Sequence, residues 1–220
     1  TYAGRLDPLA EGVLILLAGD AVYEKEKYLK LDKEYDAEIL LGFETDTYDI
    51  LGLPKKKKTR KYFSQKEVSS FLNSFIGKNQ QPFPPYSSYK IKGKPLFHWV
   101  REGKIKEIEI PEKEREIYEI KILHLKKVNG KNLLAQINKK IQKVKGDFRQ
   151  EKISRQWEKI LKENADIEFQ LVKIKIKCSS GTYVRAMVHR LGQNLKSGSV
   201  LLDLIRTRVG RFKIKHSLRI

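Results

Sequence analysis

At 220 residues the chain is long enough for one large domain or two small ones with a sizeable core, because the buried share of surface rises with chain length; neither a disulfide nor a metal is needed to hold it. Lys and Arg number 46 against 27 Asp and Glu, a formal net charge of +19, and a field of that sign attracts polyanions, nucleic acid first among them. Cys178 is the single cysteine, which excludes an internal disulfide, and with no Cys/His cluster at ligand spacing a zinc site is not expected.

No apolar run approaches a membrane span and no stretch reads as a signal peptide, so a soluble protein in a reducing, cytoplasmic setting is expected. The lysines are spread through the whole sequence, which argues against an amphipathic membrane-surface segment. Position 1 is Thr and the only methionine is Met187, so an upstream segment is expected.

The chain opens on Gly4-Arg5-Leu6-Asp7-Pro8-Leu9-Ala10-Glu11-Gly12. Pro8 disfavours the right-handed helical region for Asp7 and extends it, while Gly4 and Gly12 allow tight backbone excursions on either side. A carboxylate displayed from such a loop can be a nucleophile, a general base or a metal ligand, or a turn residue satisfying its own backbone. Residues 13–18 form a continuous apolar run and read as a short buried strand. Residues 22–31 suit a short helix. The alternation from Tyr35 to Leu41 puts Tyr35, Ala37, Ile39 and Leu41 on one face of a strand. A turn-rich acidic stretch, residues 42–52, follows, and then a lysine run, residues 55–58, readable as a solvated loop or an RNA contact.

Ser64-Gln65-Lys66-Glu67 is a capping box, and Val68, Phe71, Leu72, Phe75 and Ile76 recur at helical spacing until Gly77. Residues 80–90, with three prolines, read as irregular and combine aromatics, hydroxyls and Lys90 in a form that can stack on and hold a single-stranded nucleic acid, or merely cross a surface. A short helical or irregular stretch begins at Phe97. Residues 117–128 are strand-like, with Tyr118, Ile120 and Ile122 on one face, and Asn129-Gly130 signals a hairpin turn.

From 131 to 165 the pattern is helical, an excursion between two strands. Residues 167–178 alternate again, with a slip at Leu171-Val172 that suggests a bulge; Val172, Ile174, Ile176 and Cys178 share one face and Lys173, Lys175 and Lys177 the other. A Ser/Gly turn then leads into a helix with Val184, Val188, Leu191 and Leu195 inward. Arg185 falls in its first turn, where a cation is disfavoured without an anionic partner. In residues 200–211 the apolar half packs and the arginines are expected to face solvent or phosphate.

Taken together, four motifs make the chain resemble the TruB family of tRNA pseudouridine synthases. They are the Asp7 motif above, extended through Val13-Leu14; Lys33-Glu34-Tyr35 with Thr45-Asp46-Thr47-Tyr48-Asp49; Pro84-Pro85-Tyr86-Ser87-Ser88-Tyr89-Lys90 with Gly93; and Cys178-Ser179-Ser180-Gly181-Thr182-Tyr183-Val184-Arg185 with Leu204 and Arg206-Thr207-Arg208-Val209-Gly210. The resemblance covers most of the chain outside residues 131–165. It implies an α+β fold with a mixed, largely antiparallel sheet flanked by helices, and one catalytic domain over residues 1–220 with a helical insertion between two late strands. The family's N-terminal segment and the C-terminal PUA-type domain of some members are both expected to be missing.

The implied activity is isomerisation of uridine 55 in the T-arm loop of tRNA to pseudouridine by a monomer, with no cofactor, metal or membrane. Asp7 becomes the nucleophile, at C1′ of the ribose or C6 of the base. Tyr35 stacks on the flipped base near the C5 proton, and Arg185 pairs with and orients Asp7. Tyr183 and Leu204 line the base pocket, and Tyr86 and Lys90 hold RNA. Tyr2 stands where the family carries His and is expected to keep its stacking role. Two other classes remain open on the residues: a non-catalytic RNA-binding or tRNA-folding module, and a glycosylase in which Asp7 activates water.

Overall fold

The computed structural model describes residues 1–57 and 62–219. Strand β1 (Tyr2–Ala3) precedes the Asp7 loop, which ends in β2 (Ala10–Gly12) and β3 (Ile15–Leu16); α1 (Lys25–Leu29) follows. Next come β4 (Lys33–Leu41), the small pair β5 (Phe43–Glu44) and β6 (Lys55–Lys56), α2 (Gln65–Asn73) and β7 (Gly77–Pro82). A two-residue pair, β8 (Lys90–Ile91) and β9 (Lys94–Pro95), leads into α3 (Leu96–Arg101) and the long β10 (Glu112–Asn129). Helices α4 (Gly130–Lys143) and α5 (Gln150–Lys162) separate β10 from β11 (Glu168–Cys178), after which α6 (Val184–Asn194), β12 (Ser199–Val209) and β13 (Phe212–Lys213) finish the fold.

Among the described residues the main sheet runs β13-β12-β4-β11-β10-β7, with β2 added alongside β12. Every pairing is antiparallel except β2 with β12. This is the α+β, largely antiparallel architecture expected. One face of the sheet carries Tyr35, Ala37, Ile39 and Leu41 from β4 and Val172, Ile174, Ile176 and Cys178 from β11, packed under α6 and α2. The other face gathers Leu40, Leu171, Val200 and Leu202 under the insertion helices, whose Leu133, Ile137, Ile141, Ile153, Trp157 and Leu161 are fully or almost fully buried. Each such side chain contributes roughly 1.5–3 kcal/mol, so α4 and α5 are part of the core. The Trp157 indole N–H donates to the Ile50 carbonyl at 3.0 Å, fastening α5 to the turn after β5.

Several expectations need correction. Residues 13–18 are not a buried strand: Val13, Ile15 and Leu17 are buried, but Leu14 and Leu16 are exposed, because the segment is extended with only β3 paired, to β1. The proline-rich stretch is regular at its start, since Gln80, Gln81 and Pro82 belong to β7 at the sheet edge, where a missing N–H is tolerated. In β10 the register slips at Tyr118 and again at Leu123, so Ile117 and Ile120 face the core while Tyr118 points outward and donates to Asp32.

Those slips lie in β10; β11 pairs with β4 without interruption. Leu171 and Val172 are both buried because the sheet is covered on both faces there, which a period-two reading takes for a bulge. Asn129 caps α4, accepting from the Asn132 N–H at 2.8 Å, instead of forming a hairpin turn; asparagine serves both ends equally well. The capping box at Ser64 and the helices flanking residue 145 form as expected. In the lysine run, Lys57 pairs with Glu44 at 3.2 Å, and Lys58 lies outside the described residues.

Candidate active site

The Asp7 loop is closed at its base and presented at its apex. At the base, β2 runs parallel to β12, with Leu204 opposite Ala10 and Arg206 opposite Gly12. Gly12 sits at φ 111°, and an added Cβ would lie 2.3 Å from the Arg206 carbonyl oxygen, so only glycine fits this approach. The Arg206 side chain, expected to reach solvent or phosphate, is instead buried: its Nε donates to the Val13 carbonyl at 2.7 Å and its Nη2 to the Gly4 carbonyl at 2.8 Å. One guanidinium thus ties both ends of the loop together. At the apex the Ala10 N–H donates to the Asp7 carbonyl at 2.9 Å, closing a four-residue turn with Pro8 in its second position.

Arg185 meets Asp7 there. The guanidinium is 3 % exposed, and its Nε reaches Asp7 Oδ2 at 2.8 Å while Nη2 lies 3.5 Å from Oδ1, a fork on the carboxylate. Its remaining donors go to backbone carbonyls: Nη1 to Thr47 at 3.0 Å and Nη2 to Tyr86 at 2.8 Å. The arginine therefore joins the Asp7 loop, the turn after β5 and the proline-rich loop through one rigid plane. Burial works against its charge, but the carboxylates of Asp7 and Asp49 outweigh that and raise its pKa. Asp49, a second carboxyl behind Arg185, is pushed up to about 6 by burial and accepts from the Thr47 hydroxyl at 2.6 Å and the Leu51 N–H at 3.0 Å.

Asp7 and Arg185 line a cleft of about 720 Å³, together with Thr47, Asp49, Tyr86, Phe97, Tyr183 and residues 143–149, among others. Leu204 lies beneath, sharing a small recess with Asp7, Leu9 and Ala10. Tyr35 faces Arg206 across the β4–β12 register and is 8 % exposed; burial pushes its hydroxyl up to about 12, and the Asp7 charge adds to the shift. Tyr183 stands at the N-terminus of α6, its N–H and carbonyl both bonded to the Gln81 side chain.

Tyr35 is not among the residues that line this cleft, and two further nominated residues stand apart from it altogether. Tyr2 is 43 % exposed on β1 with the Lys25 ammonium 5.9 Å from its ring centre, and Lys90 is exposed on β8; neither lines the cleft. Residues that the pattern alone did not nominate include Thr47, Asp49, Arg149 and Arg206. Only Gly12, as a marker of close approach, signals the Arg206 contact. A second cavity of about 240 Å³, between β7 and α6, has Tyr48, Phe83, Met187 and His189 in its wall and contains none of Asp7, Tyr35 or Arg185.

Residues 1–143 match the family model described as TruB family pseudouridylate synthase (N terminal domain). The chain is 32 % identical over 219 residues to tRNA pseudouridine synthase B of Clostridium novyi (strain NT), covering 100 % of this chain and 60 % of that protein. It is 30 % identical over 217 residues to tRNA pseudouridine synthase B of Bacteroides fragilis (strain YCH46), covering 99 % and 74 %. The chain thus spans about 60 % of the length of the clostridial relative. Among solved structures, a chain of a Cbf5-Nop10-Gar1 complex superposes with a TM-score of 0.56 at 19 % identity, over 96 % of this chain and 40 % of that one. A chain of an H/ACA RNP bound to a substrate RNA containing 2'-deoxyuridine gives 0.53 at 17 %, over 97 % and 39 %. These two likenesses concern the fold. No helix among the described residues is long and apolar enough to cross a membrane.

Proposed function

This chain belongs to the TruB family of pseudouridylate synthases, and from that premise we propose that it isomerises uridine 55 in the T-arm loop of tRNA to pseudouridine, with Asp7 as nucleophile. The target base leaves the loop and enters the cleft. The Asp7 carboxylate attacks C1′ of the ribose or C6 of the uracil. Either route breaks the C1′–N1 bond, turns the base and joins C5 to C1′; C5 loses its proton, N1 gains one, and release of the Asp7 oxygen restores the enzyme. Nothing is consumed.

The observation that carries this reading is the Arg185 fork on Asp7, since it holds a carboxylate already fixed by a closed loop at a cleft of about 720 Å³. Tyr35 supplies a ring against the base. With its hydroxyl pushed up to about 12 it stays neutral at physiological pH, so its part is packing and hydrogen bonding. Tyr183 and Leu204 bound the base, while Tyr86, Lys90 and Tyr2 hold the surrounding RNA. Residues 1–220 act as the catalytic domain, as a monomer in the cytoplasm.

Incubation with an unmodified tRNA transcript, followed by carbodiimide labelling and reverse transcription across the T loop, tests the reaction. The expected result is a stop at uridine 55. Release of free uracil with an abasic site would instead identify a glycosylase, and absence of both products in the presence of salt-sensitive tRNA binding would favour a binding module.

A further inference from the structure

We propose that the tip of the two-helix insertion, residues 143–149, is a wall of the RNA cleft that takes the phosphate backbone beside the target uridine. This rests on the reading of an RNA substrate given above.

The helices hold the tip in place. Besides the Trp157 bond, Lys140 on α4 pairs with Asp203 on β12 at 2.6 Å, both partly buried. The tip is knitted to itself: the Gln150 side chain accepts from the Phe148 N–H at 2.8 Å and donates to the Val144 and Gly146 carbonyls at 3.2 and 2.6 Å. Arg101 of α3, which also lines the cleft, donates to the Asp147 carbonyl at 3.2 Å.

Arg149 latches this structure to the active site. Its backbone sits in the left-handed region at φ 64°, which costs an L-residue on the order of 1 kcal/mol. The strain is offset by what the side chain gains there. Its guanidinium reaches Asp46 at 2.9 Å and lies 4.9 Å from the Tyr86 ring centre, while the Tyr86 hydroxyl donates to the same Asp46 oxygen at 3.0 Å. Tyr86 in turn gives its carbonyl to Arg185. The insertion tip, the proline-rich loop and the Asp7–Arg185 pair are therefore one connected assembly.

The occupant follows from charge and shape. Lys143 and Lys145 stand exposed on the tip, and the pairing of Lys143 with Glu11 at 3.2 Å is solvent-exposed, the kind worth little in water. Phe97, Phe148 and Tyr86 line the same cleft, so cations and aromatic rings occur together in its wall, the combination that holds a single nucleic-acid strand.

The test is filter binding of an unmodified tRNA transcript by the full chain across a salt series, comparing Lys143→Gln/Lys145→Gln with Lys121→Gln/Lys175→Gln. The second pair lies opposed on the exposed face of β10 and β11 and removes the same charge away from the cleft. The tip variant should bind roughly three- to tenfold more weakly, with a log affinity against log salt slope shallower by about 1.5, as expected for two lost phosphate contacts. The control pair should bind within about twofold of the parent. Indistinguishable tip and control variants, or no binding by the parent chain, would overturn the proposal. Pseudouridine measured in parallel separates the two readings: a parent that binds through the tip yet forms no product sinks the isomerase and leaves the tip site standing.

Discussion

The loop carrying Asp7 meets a buried guanidinium at each end, and the two differ in what they hold. At the base, Arg206 bonds the backbone carbonyls of Gly4 and Val13, lies beside the buried Tyr35 hydroxyl, and is sealed against the sheet. At the apex, Arg185 also bonds two carbonyls, of Thr47 and Tyr86, but turns its remaining edge to the Asp7 carboxylate at the cleft. Both arginines serve to position the chain. Of the two, Arg185 touches a carboxylate that is one-third exposed and lines the cleft. Burial of a charge does not by itself set a residue apart; what distinguishes Arg185 from Arg206 is a partner that faces a cavity.

Substitution at the apex should give the largest effect on activity. Arg185→Lys keeps a cation but cannot fork the carboxylate and bond both carbonyls at once. Loss of about 3 kcal/mol of buried pairing corresponds to roughly a hundredfold in kcat/KM on a tRNA transcript. A drop of less than about threefold would place Arg185 outside the chemistry. At the base, Arg206→Met should instead show first as lost stability, about 2–4 kcal/mol in urea unfolding, from two buried carbonyls left without donors. Unchanged stability would mean that the loop does not depend on that tie.

Asp49 sharpens the apex further through pH. Burial raises its folded pKa to about 6 from the usual 3.8, so the folded protein favours the protonated form. Its contribution is therefore fully present at low pH and is lost as pH rises from about 4 through about 6, a decline of roughly 2–3 kcal/mol. Asp49→Asn keeps an acceptor for Thr47 and Leu51 and should flatten that part of a urea-midpoint profile against pH. A variant that retains the parent's slope would assign the decline to another group.

Local repetition made much of the fold legible. The alternation from Tyr35 to Leu41 and the Val184, Val188, Leu191 and Leu195 spacing each report a single buried face, and each face packs as expected. Arg185 was legible for a different reason: a cation in the first turn of a helix needs an anion, and Asp7 supplies it. Arg206 was not, because the partners through which it ties the loop are main-chain carbonyls, which carry no residue identity. Arg149 escaped because its partners Asp46 and Tyr86 are brought to it only by tertiary folding. The two register slips in β10 hid the inward face of that strand, and burial on both sides of β11 imitated a third.

The most direct measurement is single-turnover conversion of an unmodified tRNA transcript by Asp7→Asn beside the parent chain, with tRNA binding measured on the same samples. Binding within about twofold of the parent and no detectable pseudouridine are expected, since an amide of the same shape cannot act as the nucleophile. Product formation by Asp7→Asn at a rate near the parent's would remove Asp7 from the chemistry.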